Sequence, residues 1–181
     1  MKRLRKGQTV AEVAVIVSET LQAAGVRAVL SGGGAVSIYS KNAYESSDLD
    51  FVTSAGISQL DQVMTTLGFS RRKGRHYEHP NCEWLIEFPP GPVMLGDEIV
   101  SDWVENAVAG GVIRMLSPTQ CVMDRLAAFY HWNDRQCLDQ AVMVACRNRV
   151  NFSAVKRWSV REGHAKRLAE FLAAAKKASA R

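Results

Sequence analysis

The stretch from Val29 to Val52, VLSGGGAVSIYSKNAYESSDLDFV, constrains this chain more than any other. An apolar run enters three successive glycines, Gly32-Gly33-Gly34. A short amphipathic run and a polar loop follow, and then Asp48-Leu49-Asp50 opens a second apolar run. Residues i and i+2 of a strand share a face. Asp48 and Asp50 therefore point the same way, and Leu49 and Phe51 point into a core. Two carboxylates held side by side repel each other unless a cation lies between them. A pair of divalent ions about 3.5–4 Å apart is a common reason for such an arrangement. Oxygen-only ligands suit Mg2+ or Mn2+, and magnesium usually shares its shell with substrate phosphates. The glycines supply a complementary feature. A strand, a glycine turn and a helix start present bare backbone N–H groups that a phosphate can approach closely. Each element has a plain reading on its own, since an Asp-x-Asp is usually a solvated strand face and three glycines a tight turn. The glycines match neither G-x-G-x-x-G nor a P-loop. The order of the two elements is what points to polyphosphate and metal.

The remaining pattern splits in two. Thr9 and Glu12 form a capping box ahead of apolar residues at helical spacing, and Gly25 ends that helix. Strands are predicted over Arg27 to Ser31, Asp48 to Thr53, Cys82 to Phe88 and Gly111 to Leu116. Short helices are predicted over Ala35 to Tyr39 and Ile57 to Leu67. Phe69 to His79 reads as a basic hairpin turning at Lys73-Gly74. Pro89-Pro90-Gly91-Pro92 stops the Cys82 to Phe88 run and forms a stiff lid or a rigid connector. From Ser117-Pro118 onward only helices follow: Pro118 to Tyr130, Asp134 to Arg147, Phe152 to Glu162 and His164 to Lys177. The expected fold is α/β (α+β), a small mixed sheet with packed helices over 1–116, followed by a C-terminal helical bundle over 117–181.

The chain has 181 residues and no apolar run of the roughly 20 residues a membrane span needs. Its four cysteines lack Cys-x-x-Cys or zinc spacing, so we read them as reduced and mostly buried, hence cytoplasmic. A net charge of +5 is compatible with a polyanionic partner without requiring one. The basic cluster Arg71, Arg72, Lys73 and Arg75 reads either as a contact for triphosphate or RNA backbone or as a solvated hairpin. His76 and His79 lack a matching set for zinc. Trp84, Trp103, Trp132 and Trp158 read as core or half-buried.

The segment VLSGGGAVSIYS…SSDLDFV resembles the signature of the nucleotidyltransferase fold, the polymerase-β-like superfamily. More narrowly, the chain is similar to small bacterial nucleotidyltransferase-like proteins related to the toxin half of abortive-infection toxin–antitoxin systems. The residues that fit are Gly32, Gly33, Asp48 and Asp50. In the second half, LSPTQCVMDRLAAFYHWNDRQCLDQA resembles the helical motif of that group. Arg125 stands where a lysine is usual, Arg135-Gln136 where Arg-Asp is usual, and Asp139 matches the last acid. The resemblance implies nucleotide binding through Gly32, Gly33, Arg125, Arg135 and Asp139. It also implies a third carboxylate on a later strand. Glu83 and Glu87 are both available; Glu87, between Ile86 and Phe88, repeats the acid-between-apolar pattern of Asp50 and would be metal ligand and general base. Its plain reading is an exposed glutamate paired with an arginine. The implied activity moves a nucleoside monophosphate from a nucleoside triphosphate to a hydroxyl of RNA, protein or a small molecule, with Mg2+ or Mn2+ held by Asp48, Asp50 and Glu87. An antitoxin-like partner is also implied. Two alternatives remain: an inactive module of the same fold that binds nucleotide or a partner protein, and a plain nucleic-acid-binding domain that leaves the aspartate pair unexplained.

Overall fold

The computed structural model describes residues 4–180. In chain order the elements are α1 (Val10–Ala23), β1 (Ala28–Ser31), α2 (Gly32–Ser40), β2 (Asp48–Thr53), α3 (Ile57–Thr66), β3 (Ser70–Arg71), β4 (His76–Glu78) and β5 (Leu85–Glu87). They continue with β6 (Met94–Leu95), β7 (Glu98–Ile99), β8 (Val104–Val108), β9 (Gly111–Met115), α4 (Pro118–Trp132), α5 (Arg135–Arg147), α6 (Phe152–Arg161) and α7 (Ala165–Ser179). The class is α/β, as the alternation of patterns requires.

Seven strands form one mixed sheet in the order β3-β4-β5-β2-β1-β9-β8, and β6 and β7 form a separate small hairpin. β2 lies at the centre, antiparallel to β1 and parallel to β5. Leu49 and Phe51 on one face of β2 are fully buried, and Leu49 packs closely beneath Gly34 of α2. Asp48, Asp50 and Val52 occupy the opposite face.

Two capping boxes anchor the helices. Thr9 and Glu12 start α1, and Ser117 and Gln120 start α4 with Pro118 in its first turn. The buried apolar residues form a single cluster that runs from α1 through the sheet into α4, α5, α6 and α7. Two polar contacts reinforce it. The Tyr39 hydroxyl donates to the Leu116 carbonyl at 2.6 Å, and the Asn148 side chain donates to the Tyr39 carbonyl at 3.1 Å.

Several boundaries differ from the sequence reading. α2 begins at Gly32 rather than Ala35, because Ser31 is still extended and Gly32 turns the chain with φ of 62°. The Cys82 to Phe88 run forms strand only over Leu85–Glu87. β8 and the β6–β7 hairpin have no counterpart in the sequence reading. Trp132 is 77% exposed, whereas Trp158 is buried and donates its indole N–H to the Leu95 carbonyl. All four cysteines are free; Cys121 and Cys137 are buried, Cys82 is partly buried and Cys146 is exposed.

Candidate active site

The strand register assembles the acids. Asp50 stands opposite Ser31 of β1 and beside Glu87 of β5, while Asp48 pairs with Leu85. Carboxylate oxygens of Asp48, Asp50 and Glu87 all lie within 4.8 Å of one another. Glu83 lies before β5 begins and does not join this group. Each acid is partly buried. Burial, then the Asp48 and Glu87 charges, push the Asp50 carboxyl up to about 7, while Arg125 pulls it down. A carboxyl so destabilised in its charged form needs either a proton or a cation. Three convergent oxygen donors therefore fit a hard divalent ion such as Mg2+ or Mn2+.

Neighbouring groups hold the acids in place. Ser46 donates its hydroxyl to Asp48 Oδ1 at 2.9 Å, and its own N–H donates to Ser37 Oγ of α2 at 3.0 Å. His76 stands opposite Glu87 on β4, with its Nε2 3.1 Å from Glu87 Oε1. Glu87 is thus paired, but with a histidine rather than the arginine of the plain reading.

The glycines are required for specific reasons. At Gly32 a Cβ would sit 2.3 Å from Asp50 Oδ2, in addition to the left-handed φ. At Gly33 a Cβ would sit 2.5 Å from Ser46 Oγ, and at Gly34 one would sit 2.7 Å from a Leu49 methyl. The triplet lets the start of α2 press directly onto the acid-bearing strand. Closeness to the acids and their supports, more than room for a phosphate, is what forbids side chains there.

α4 contributes a residue that sequence reasoning missed. Asp124 Oδ2 accepts the Gly32 N–H at 3.3 Å, and accepts Arg125 Nη2 at 2.7 Å and Nε at 3.0 Å. Asp124 stands 92 residues from Gly32, so no local pattern could reveal the contact. Arg125 thus lies beside the glycine turn, largely buried, with Gln140 Oε1 at 3.5 Å from Nη1. Arg135 and Asp139 are not brought to the acids. Arg135 pairs with Glu170 of α7 at 2.7 Å and its guanidinium lies over the Phe129 ring. Asp139 lines a groove with Val142, Met143, Ala174 and Lys177.

The basic hairpin is largely committed to the fold. Arg71 pairs with Asp61, Arg72 with Glu78, and Arg75 donates to the carbonyls of Phe88, Thr53 and Ala55. Beside Asp48 lies an open groove of about 610 Å³ whose walls include Ser70, Arg72, Glu78, Glu83 and Trp84.

No protein-family model and no curated protein matches the sequence. Solved structures share its fold. An antigenic nucleotidyltransferase-like protein from Paracoccidioides brasiliensis is similar with a TM-score of 0.55, at 12% identity over 78% of this chain and 77% of that one. ANT(2'')-Ia in complex with adenylyl-2''-tobramycin gives 0.55, at 12% identity over 87% of this chain and 97% of that one. The solution structure of the antibiotic-resistance factor ANT(2'')-Ia gives 0.52, at 13% identity over 90% and 95%. The chain has the nucleotidyltransferase fold, in agreement with the resemblance of its glycine and Asp-x-Asp segment. No helix among the described residues is long and apolar enough to cross a membrane.

Proposed function

We propose that this protein is a metal-dependent nucleotidyltransferase that moves a nucleoside monophosphate from a nucleoside triphosphate to an acceptor hydroxyl. The observation that carries the reading is the meeting of Asp48, Asp50 and Glu87 within 4.8 Å, against a helix opened by glycine. Asp48, Asp50 and Glu87 would hold Mg2+ or Mn2+, which when bound neutralises charge on the triphosphate and favours the deprotonated acceptor.

The chain's own groups then have distinct tasks. The opening turn of α2, from Gly32 and Gly33, offers backbone N–H groups and a positive dipole end to the phosphates. The Arg125 guanidinium adds a fixed positive charge beside that turn. The acceptor oxygen attacks the α-phosphorus, the bond to the bridging oxygen breaks, and pyrophosphate leaves. Glu87 takes the proton from the acceptor hydroxyl. His76 orients the Glu87 carboxylate from the neighbouring strand. The groove beside Asp48 offers room for the acceptor. The solved adenylylated tobramycin complex of a protein with this fold supports an acceptor hydroxyl as the class of co-substrate. RNA, a protein hydroxyl or a small molecule all belong to that class. The cytoplasm and an antitoxin-like partner complete the reading, and rest on the free cysteines and on the resemblance of the helical segment.

The test is transfer of radioactive α-phosphate from each of the four nucleoside triphosphates to cellular RNA, protein and small-molecule fractions. The wild type is expected to label an acceptor. Glu87→Gln keeps size but cannot take a proton, and is expected to lose about 10²–10⁴ in rate while still binding nucleotide. Absence of labelling by the wild type in every fraction would leave a nucleotide-binding module of the same fold.

A further inference from the structure

We propose that Asp124 is an internal stand-in for phosphate, a carboxylate that occupies the contacts an incoming triphosphate must take. The proposal rests on the nucleotide site described above, and concerns how tightly that site accepts its anion.

Three observations carry it. First, a single oxygen of Asp124 receives the Gly32 N–H, the first N–H of α2, together with two guanidinium N–H groups of Arg125. A backbone N–H at a helix start and a fixed arginine are the donors that recognise a phosphate oxygen. Second, Ser31 at the N-cap makes no side-chain cap bond, so Asp124 supplies from α4 the acceptor that an N-cap residue ordinarily supplies from within. Third, the arrangement is costly in charge. Gly32 donates its N–H to Asp124 and would meet Asp50 Oδ2 with any Cβ, so the two carboxylates share this glycine, and Asp124 repels the Asp50 charge where Arg125 attracts it. An acceptor serving the Gly32 N–H alone would be equally well made by a neutral amide.

The contact therefore resembles the bound state with a carboxylate in place of the anion. When triphosphate arrives, Asp124 yields the Gly32 N–H and loses its hold on Arg125. The Arg125 side chain then has Gln140 Oε1 and Cys137 Sγ as remaining neighbours, at 3.5 and 3.7 Å, and is left with its charge directed to the ligand. Affinity is set by this competition, and Asp124 lowers it. One unit charge a few ångströms from a polyanion, at an effective dielectric of about 20, is worth more than a factor of about five after screening.

The experiment is calorimetric titration of full-length protein with inorganic triphosphate in excess Mg2+, comparing wild type, Asp124→Asn, Arg125→Met and the double variant. The asparagine substitution keeps the shape and an oxygen for the Gly32 N–H but removes the charge. Asp124→Asn is expected to bind at least about fivefold more tightly than wild type. Arg125→Met is expected to weaken binding, and by a larger factor when combined with Asp124→Asn, where the arginine has no competing carboxylate. Asp124→Ser, which empties the space, is expected to tighten binding as well. Circular dichroism checks that each variant is folded, and either Asp124 variant suffices if the other is not. Equal or weaker binding in the folded Asp124 variants overturns the proposal, and Asp124 is then a support for Arg125. Absence of binding in wild type and all variants at millimolar triphosphate overturns the nucleotide site itself, and the stand-in with it.

Discussion

Replacing Asp50 with asparagine is expected to stabilise the metal-free protein at alkaline pH while destroying its response to divalent ions. The Asp50 carboxyl rises from an ordinary 3.8 to about 7, through burial first and then through Asp48 and Glu87. The folded state therefore prefers the protonated form. The stabilising contribution of Asp50 is complete below its unfolded value near 3.8 and is lost as pH rises to about 7. At about 1.4 kcal/mol per tenfold change in ionisation constant, the ceiling is about 4 kcal/mol. Partial solvent access and local relaxation reduce this to about 2 kcal/mol, or roughly 4–8 °C in Tm for a chain of this length. In EDTA, wild-type Tm should fall by that amount between about pH 4 and 7 relative to Asp50→Asn. At the alkaline end the variant should melt above wild type. Adding Mn2+ there should raise wild-type Tm and leave Asp50→Asn unchanged, and pairing it with Asp48→Asn should remove manganese binding in a titration. Scanning fluorimetry across pH, with and without Mn2+, reads all of these. An Asp50→Asn protein that melts below wild type in EDTA at the alkaline end would refute the argument, because it would show the ionised carboxylate to be favourably placed without a cation.

Gly32→Ala is expected to cost far more stability than Gly25→Ala and to remove manganese binding. Both glycines have positive φ, at 62° and 71°, but a Cβ meets Asp50 Oδ2 at 2.3 Å in the first case and nothing within 4 Å in the second. Backbone strain alone costs about 1 kcal/mol, so thermal melts separated by no more than a degree or two would refute the close approach. Arg75→Met, which strips donors from the carbonyls of Phe88, Thr53 and Ala55, is expected to cost about 1–3 kcal/mol in urea unfolding. It should leave triphosphate affinity unchanged, and a selective loss of affinity would restore the hairpin to the binding surface.

Features governed by neighbours in sequence were legible before the structure. Thr9 with Glu12 and Ser117 with Pro118 mark their helix starts through contacts that span three residues or fewer. The alternation of Asp48, Leu49, Asp50 and Phe51 announces its two faces because a strand has a period of two. The features that were missed have other causes. β8 reads VENAV, with alternating half-buried and exposed positions and no fully buried residue, so its sequence carries little apolar signal at this sheet edge. The strands of the β6–β7 hairpin are two residues each and are held partly from outside, by Arg161 on Glu98 and by Trp158 on the Leu95 carbonyl. Arg135 and Asp139 fit a motif by spacing, yet the face of α5 that carries Arg135 is the one that packs against α7. His76 meets Glu87, and Asp124 meets Gly32, only once the sheet and α4 are assembled.

Assembly of the sheet holds three mutually repelling acids within 4.8 Å of one another, with the Asp124 charge acting on Asp50 as well. Asp48 and Asp50 cannot move apart, because Leu49 and Phe51 between and beyond them are fully buried on the other face of β2. Glu87 is fixed in the same way by Ile86 and Phe88, both fully buried, and the parallel register sets it beside Asp50. Asp124 is fixed by α4, whose neighbouring Cys121, Val122 and Leu126 are all fully buried. Burial of Leu49, Phe51, Ile86 and Phe88, at roughly 1.5–3 kcal/mol each, together exceeds the repulsion of a carboxylate pair at this spacing, about 3–4 kcal/mol at an effective dielectric of about 20. The apolar residues that alternate with the acids therefore impose the charge arrangement, and the unrelieved repulsion becomes affinity for whatever cation enters. A substitution that loosens this frame without touching an acid, such as Phe51→Ala, should weaken manganese binding as well as stability, since the acids could then spread apart.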